Sequence, residues 1–357
     1  MKRARLMLKQ LLAASLYYTG LLTLWVYLKQ TIQGNSGGTI LAYHCFLDAD
    51  DPLRRVLQSG LCVTPGNFEQ QVLFYKRYCR LISLNDMIDA LASGRRLPRR
   101  SVVITIDDGW RDNYTHCFPV LVRHGAQATI FLTVDYIEGI REFWFLRAGR
   151  ILDEGNLTAG DLAGILAGVS GASQETLQAD FSDSHGNLDR DRFMEQLKQL
   201  DYDRQQVALD ALEKLSGEAV SGQRSQRFTL NWDEIRQMSE AGVDFGSHGC
   251  SHRILTLLSQ EEVGEELSTS KGRLNEKLGK RVRHFAYPNG DFNDTVAELV
   301  RKAGYDCGLA TGRGTRPGGS TMNRFALRRI GLHDGVATGV SGRFSTAMLA
   351  FHLARFG

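Results

Sequence analysis

The sequence predicts an α/β protein: a (β/α) barrel of seven or eight strands, interrupted once by a helical insertion and preceded by a hydrophobic helix. Three observations lead there. Short apolar, β-branched runs alternate with helical patterns, which implies parallel strands joined by right-handed crossovers. The residues best suited to chemistry all fall where an apolar run ends, the place where barrels build their sites. From about Tyr136 to Gln226 the alternation stops, and charged helical segments such as Arg190 to Leu215 take over.

The amino terminus comes first. Lys2, Arg3, Arg5 and Lys9 precede an uncharged run from Leu11 to Leu28, closed by Lys29. Residues 1–30 are expected to contact a membrane, because the run sits at the lower limit for spanning a bilayer and Trp25 and Tyr27 suit an interface. No small-residue cleavage site stands out, so a retained segment is expected rather than a removed signal peptide. If the run spans, its basic flank stays cytoplasmic and the rest of the chain lies outside, as at an inner membrane. The other readings are an amphipathic helix lying on the membrane or packed on the protein, and Thr19, Gly20 and Thr23 keep them open.

After a Gly/Ser/Asn linker (Gln33 to Gly38), the barrel domain is placed at 38–340. Thr39–His44 is the first buried strand, and His44 at its end is a structural histidine or a wall of the site. Asn67 is expected to cap a helix with Gln70 at the third position, with Phe68, Val72 and Tyr75 on one face. Leu81–Leu84 reads as a short strand, Asn85–Ala92 as a helix, and Ser101–Ile106 as a buried strand. A helix from about Asp112 to His124 stops at Gly125, and Ala128–Val134 is another strand. Residues 136–227 form the helical insertion. Trp144, within Phe143-Trp144-Phe145, is a candidate to stack on a bound ligand or to dock the insertion.

Alternation then resumes. Asn231 and Glu234 frame a helix start, and Val243–Ser247 is a strand. Ser259 and Glu262 form a capping box that opens a helix to about Leu278. His284–Tyr287, Tyr305–Ala310 and Phe325–Leu332 are strands, with a helix at Asn293–Ala303. Residues 341–357 hold a closing helix.

Composition narrows the function. The chain has 357 residues and a net charge of +3, with basic and acidic residues interspersed. No long basic stripe or nucleic-acid-binding motif is present, so nucleic acid is not an expected partner. The six cysteines form no C-x-x-C pair, and a disulfide framework is not expected.

Two clusters carry the chemistry. Asp107 and Asp108 end the Ser101–Ile106 strand and precede Gly109. Neighbouring side chains on a straight strand point to opposite faces, so both acids share a site only if the chain bends, which Gly109 permits. Adjacent carboxylates repel unless a cation or proton lies between them. His248 and His252 follow the strand at Val243–Ser247, and a spacing of four puts both on one face if the segment is helical. One carboxylate and two imidazoles make a three-ligand set of the zinc-hydrolase type, leaving the other carboxylate to act as a base.

These residues resemble the motifs of the polysaccharide deacetylase family, also called carbohydrate esterase family 4. Thr105-Ile106-Asp107-Asp108-Gly109 matches its Thr-Phe-Asp-Asp-Gly motif. His248-Gly249-Cys250-Ser251-His252 approximates its His-Ser/Thr-x-x-His motif. Phe285-Ala286-Tyr287-Pro288-Asn289-Gly290 matches Phe-Ala-Tyr-Pro-x-Gly, the third motif in one branch. The resemblance runs from about Thr39 to His333, interrupted once, and implies a distorted barrel. It implies that Asp108, His248 and His252 hold a divalent metal such as Zn2+, and that Asp107 is the base. It also implies a histidine acid near the last strand, for which His333 is the nearest candidate, although it follows Leu332 without the family's intervening residue. Tyr287 and Pro288 are expected to shape the substrate pocket. Ala286 stands where many members have an arginine that orients the base, and Arg324, Arg328 or Arg329 is expected to replace it. The implied activity is removal of N-acetyl groups from an acetylated polysaccharide, oligosaccharide or lipid-linked sugar. Rivals are an O-acetyl esterase, a small-amide hydrolase, and an inactive carbohydrate-binding relative.

Overall fold

The computed structural model describes residues 2–32, 38–58, 60–139, 141–182, 188–217, 227–311 and 323–356. Most of the expected linker at 33–38, and the side chain of Tyr27, lie outside them. The strands are β1 (Thr39–Tyr43), β2 (Cys45–Phe46), β3 (Cys62–Val63), β4 (Arg80–Leu81), β5 (Ser101–Ile106), β6 (Ala128–Leu132), β7 (Asp244–Ser247), β8 (His284–Ala286), β9 (Cys307–Thr311) and β10 (Leu327–Gly331).

Seven of these strands, all parallel, close into a barrel surrounded by helices. The ring runs β1, β10, β9, β8, β7, β6, β5 and back to β1. It closes through Thr39↔Val102 to Tyr43↔Ile106 on one side of β1 and Ile40↔Arg329 to Ala42↔Gly331 on the other. β4 pairs only with the start of β5, and every residue of β5 is buried. β2 and β3 form a separate parallel pair, with Cys45 opposite Cys62, that the sequence pattern does not announce.

Local chemistry explains most boundaries. The helix Pro65–Tyr78 is capped by Thr64, whose hydroxyl accepts from Asn67 N at 3.3 Å, so Asn67 lies in the first turn instead of at the cap. The reason is Pro65, whose fixed φ suits the first helical position. Ser83 caps Leu84–Ala92, which shortens the strand expected at 81–84 to Arg80–Leu81. The helix expected from Asp112 begins as a π-turn, Asn113–Cys117, before Phe118–His124 and a left-handed Gly125. The Asn231/Glu234 and Ser259/Glu262 capping boxes both form.

The amino-terminal run is not one helix. Lys2–Tyr18 and Leu21–Ile32 are separated at Thr19 and Gly20, where Gly20 takes φ +78°. No helix among the described residues is long and apolar enough to cross a membrane.

The chain divides into two compact units. One holds the barrel, the amino-terminal helices and the carboxyl terminus; the other comprises Ala49–Ser59 with Ile140–Arg227. Within the second unit, the short helix Leu53–Val56 packs on the helix Trp144–Glu154 at Gly149. A Cβ on Gly149 stands 2.1 Å from the Val56 carbonyl oxygen, so only glycine allows this approach. Arg147 binds Asp210 at 2.8 Å and also Glu213, while Arg55 and Arg190 flank Asp153. Phe181 meets Phe193 edge to face at 5.5 Å.

Gly149→Ala is therefore expected to destabilise this unit by about 1–3 kcal/mol, the cost of overpacking a tight contact. Thermal unfolding checks it. An unchanged midpoint shows that the Leu53–Val56 contact does not contribute.

Candidate metal centre and its supports

β5 delivers both carboxylates. Asp107 still belongs to the barrel, since its N donates to Tyr43 O at 2.9 Å. The chain then turns sharply: Asp108 has φ +74° and Gly109 φ +77°. The bend that brings both acids to one site thus begins at Asp108 itself, and for a non-glycine residue the left-handed region costs about 1–2 kcal/mol. A Cβ on Gly109 would stand 2.8 Å from Leu132.

Asp107 and Asp108 are 2% and 4% exposed, so each charge needs an answer. For Asp107 the answer is Arg329, one of the three arginines the sequence leaves open. Its Nη1 and Nη2 donate to the two carboxylate oxygens at 2.7 Å each, a bidentate geometry that only a guanidinium supplies. Burial alone would raise the Asp107 carboxyl, but Arg329, His248 and His44 outweigh it and hold it below the usual range. For Asp108, Trp110 Nε1 donates to Oδ2 at 2.9 Å. Burial again acts upward, and His252, His44 and His248 bring this carboxyl well down.

Asp108 Oδ1 is buried and accepts no well-directed hydrogen bond. His252 Nε2 lies 3.2 Å from it and His248 Nε2 3.6 Å. The candidate ligand atoms of Asp108, His248 and His252 all lie within 4.8 Å of one another. Burial pushes the His248 imidazole down to about 4, so the ring is neutral at neutral pH. Its Nδ1 lies 2.7 Å from Ala286 O; a carbonyl only accepts, so Nδ1 carries the proton and Nε2 presents a lone pair. An unanswered carboxylate oxygen facing a neutral imidazole donor and a second imidazole fits a divalent cation.

The two histidines do not share a helix. Residues 248–254 form a loop after β7, with Gly249 at φ +81° and His252 at φ +58°. The loop converges its imidazoles because Glu266 grips its middle. This carboxylate, on the helix Gln260–Leu278, accepts from Cys250 N at 2.6 Å, from Ser251 N at 3.1 Å and from the Ser251 hydroxyl. Sequence reasoning passed over Glu266, yet a signal exists. Val263, Glu266, Leu267, Ser270 and Leu274 share the helix's buried face, and an acid there asks for a partner.

The remaining candidates separate. β1 and β10 end side by side, but the histidines that follow meet different neighbours. His44 Nε2 lies 3.8 Å from Asp107 Oδ2, and His44 is partly open to solvent. His333 packs against Gly60 and Gly335 beside Asp334 and Lys9, and the structure gives it no polar contact with either carboxylate. The imidazole beside Asp107 in the structure is that of His44. Tyr287, expected on the pocket wall, is fully buried: its hydroxyl donates to Phe325 O at 2.6 Å and its ring stacks on Phe292. Pro288 is buried and opens a tight turn. Trp144 begins a helix of the second unit, edge to face with Phe145.

Comparison with known proteins gives a consistent picture. The family model for polysaccharide deacetylase matches residues 94–160 and 201–308. YxkH of Bacillus subtilis (strain 168), provisionally named a polysaccharide deacetylase, is 22% identical over 260 residues. That match covers 72% of this chain and 61% of the relative, so the chain spans about three fifths of its relative's length. Among solved structures, the Streptococcus pyogenes deacetylase PplD in complex with acetate superposes with a TM-score of 0.55 at 18% identity, covering 86% of this chain and 96% of that one. IcaB from Ammonifex degensii gives 0.53 at 18%, covering 90% and 97%. At these identities the two structures show a shared fold.

Two consequences of the geometry are measurable. Arg329→Met removes the cation that favours the Asp107 carboxylate, so the acidic limb of the activity profile should move to higher pH, by a unit or more. A parallel fall in activity at every pH, with the limb unmoved, shows that Arg329 does not tune this acid. Glu266→Gln offers one acceptor where three donors converge, and metal affinity should drop about 10- to 100-fold, the usual effect of losing a support behind the ligands. Chelator competition reads this directly, and unchanged affinity removes Glu266 from the ligand geometry.

Proposed function

The family-model match supports placing the chain in the polysaccharide deacetylase family, and on that premise we propose that it is a metal-dependent hydrolase that removes N-acetyl groups from a glycan or lipid-linked sugar. The family implies a hydrolase of amide or ester bonds. The observation that carries the finer reading is the pairing of two unlike carboxylates: Asp108 with an open oxygen facing two imidazoles, and Asp107 locked by Arg329 beside it. A module that only bound sugar has no need for this division of labour, which argues against an inactive relative.

In this proposal Asp108, His248 and His252 hold a divalent cation, Zn2+ being the best match to the donor set. When bound, such an ion lowers the pKa of water and polarises the acetyl carbonyl. Asp107 accepts the proton of the attacking water, with Arg329 fixing the orientation of its carboxylate. His44 stands on the solvent side of Asp107 and is placed to protonate the leaving amine, which is too basic to depart unaided. His248, neutral and bonded to Ala286 O, is fixed in one tautomer and does not shuttle protons.

Acetate release from matched N-acetylated and O-acetylated glycans, with and without metal depletion, tests the assignment. Release from N-acetylated substrates that is lost on depletion is expected; release from O-acetyl groups alone makes the chain an esterase. The two carboxylates separate by variant. Asp108→Ala should lose metal and activity together, whereas Asp107→Asn should retain metal and lose about 10²- to 10⁴-fold in turnover. Metal found only in the Asp108 variant reverses the two roles.

A further inference from the structure

The first two helices expose a concentrated set of large apolar side chains. Their inner sides pack on the closing helix Thr346–Phe356: Ala13 and Leu22 are buried, and Gln10 Oε1 accepts from Val340 N at 2.8 Å. The opposite side carries Met7, Leu8, Leu11 and Leu12 on the first helix and Leu24 and Trp25 on the second, from 46% to 70% exposed. More than half of the large exposed apolar side chains among the described residues lie between Met7 and Trp25, so this is a concentrated patch.

Charge decides what could cover it. The sequence has no acidic residue before Asp48, whereas Lys2, Arg3 and Arg5 precede the patch and Lys29 follows its second part. A second copy pairing through the same face would set basic residues against basic residues across a two-fold axis. An anionic lipid surface meets both halves of the pattern, since its headgroups attract the basic flank and its acyl boundary takes the leucines. Length then decides how the segment sits. At 1.5 Å per residue the two helices are about 26 and 18 Å long, each short of a hydrocarbon core of roughly 30 Å. Gly20, at φ +78°, turns the chain between them.

We propose that this helical pair lies in the plane of an anionic bilayer, with the Leu8–Leu12 face in the headgroup–acyl boundary, and holds the protein there as a peripheral membrane protein. The segment docks on its own barrel unit with one face and on lipid with the other. This requires no spanning helix.

Co-sedimentation of the full chain with vesicles tests the proposal. Vesicles of phosphatidylcholine mixed with phosphatidylglycerol should bind at least about tenfold more protein than phosphatidylcholine alone, and added salt should weaken binding. High-pH washing should release the protein. Leu8→Glu with Leu11→Glu should lower vesicle binding by about tenfold or more while leaving the melting temperature and acetate release from a soluble substrate unchanged. Trp25 fluorescence should shift to the blue on vesicles, a signal absent from Trp25→Phe. Equal binding to both vesicle types, or to neither, overturns the proposal. So does protein that resists high-pH washing, which indicates a spanning segment. Self-association that the double variant abolishes, without vesicle binding, assigns the face to a second copy instead.

Discussion

Two consecutive carboxylates, both buried at the end of one strand, are the constraint on which this structure depends. Neither can be left unanswered away from water, and the barrel is arranged to answer each differently. The Arg329 side chain starts on β10 and must reach past β1 to Asp107 at the end of β5, so the ion pair exists only when the ring is closed. A buried pair of this kind contributes little net stability beyond an apolar replacement, yet losing one partner costs about 3–5 kcal/mol. Its value is orientation: two parallel hydrogen bonds fix the plane of the Asp107 carboxylate. Asp108 receives a single indole donor and keeps its other oxygen open.

The second support is a carboxylate of a different kind. Glu266 takes no place among the candidate ligands; it holds the backbone of the loop between His248 and His252. His252 is held at φ +58°. The loop is gripped from two sides: Gly249 O and Cys250 O accept from Val134 N and Asp135 N at 3.2 and 3.1 Å, while Glu266 takes the donors at Cys250 and Ser251. A rigid helix behind a strained loop is an economical way to obtain precise ligand geometry from a segment without regular secondary structure.

Much of this was legible in the sequence, for physical reasons. Alternating apolar runs and capped helices encode a barrel locally, because strand burial and helix capping depend on neighbours within a few residues. The bend at the paired acids was legible too, since two adjacent side chains cannot share a site otherwise. What escaped was set by register and by distant contacts. Arg329 could not be chosen from Arg324 and Arg328 until the alignment of β10 with β1 fixed which of them enters the barrel. The spacing of His248 and His252 would put both on one face of a helix, but a loop with two left-handed residues brings them together at the same spacing. His44 and His333 follow adjacent strands, and only the packing of their rings shows which one stands beside Asp107. Tyr287 reads as a pocket residue by position, yet its hydroxyl is committed to Phe325 O.

The Gly149–Val56 contact bears on modularity. The second compact unit draws on two separate stretches of chain, so the polypeptide leaves the barrel unit twice and returns twice. A unit built this way is not a cassette. Removing residues 140–227 alone strands the short helix Leu53–Val56 without the helix it packs on, and inserting that segment into another barrel delivers it without its smaller half. Any evolutionary gain, loss or exchange of this unit must therefore alter two loops of the barrel together, which ties the histories of the β2–β3 connection and the β6–β7 connection to one another.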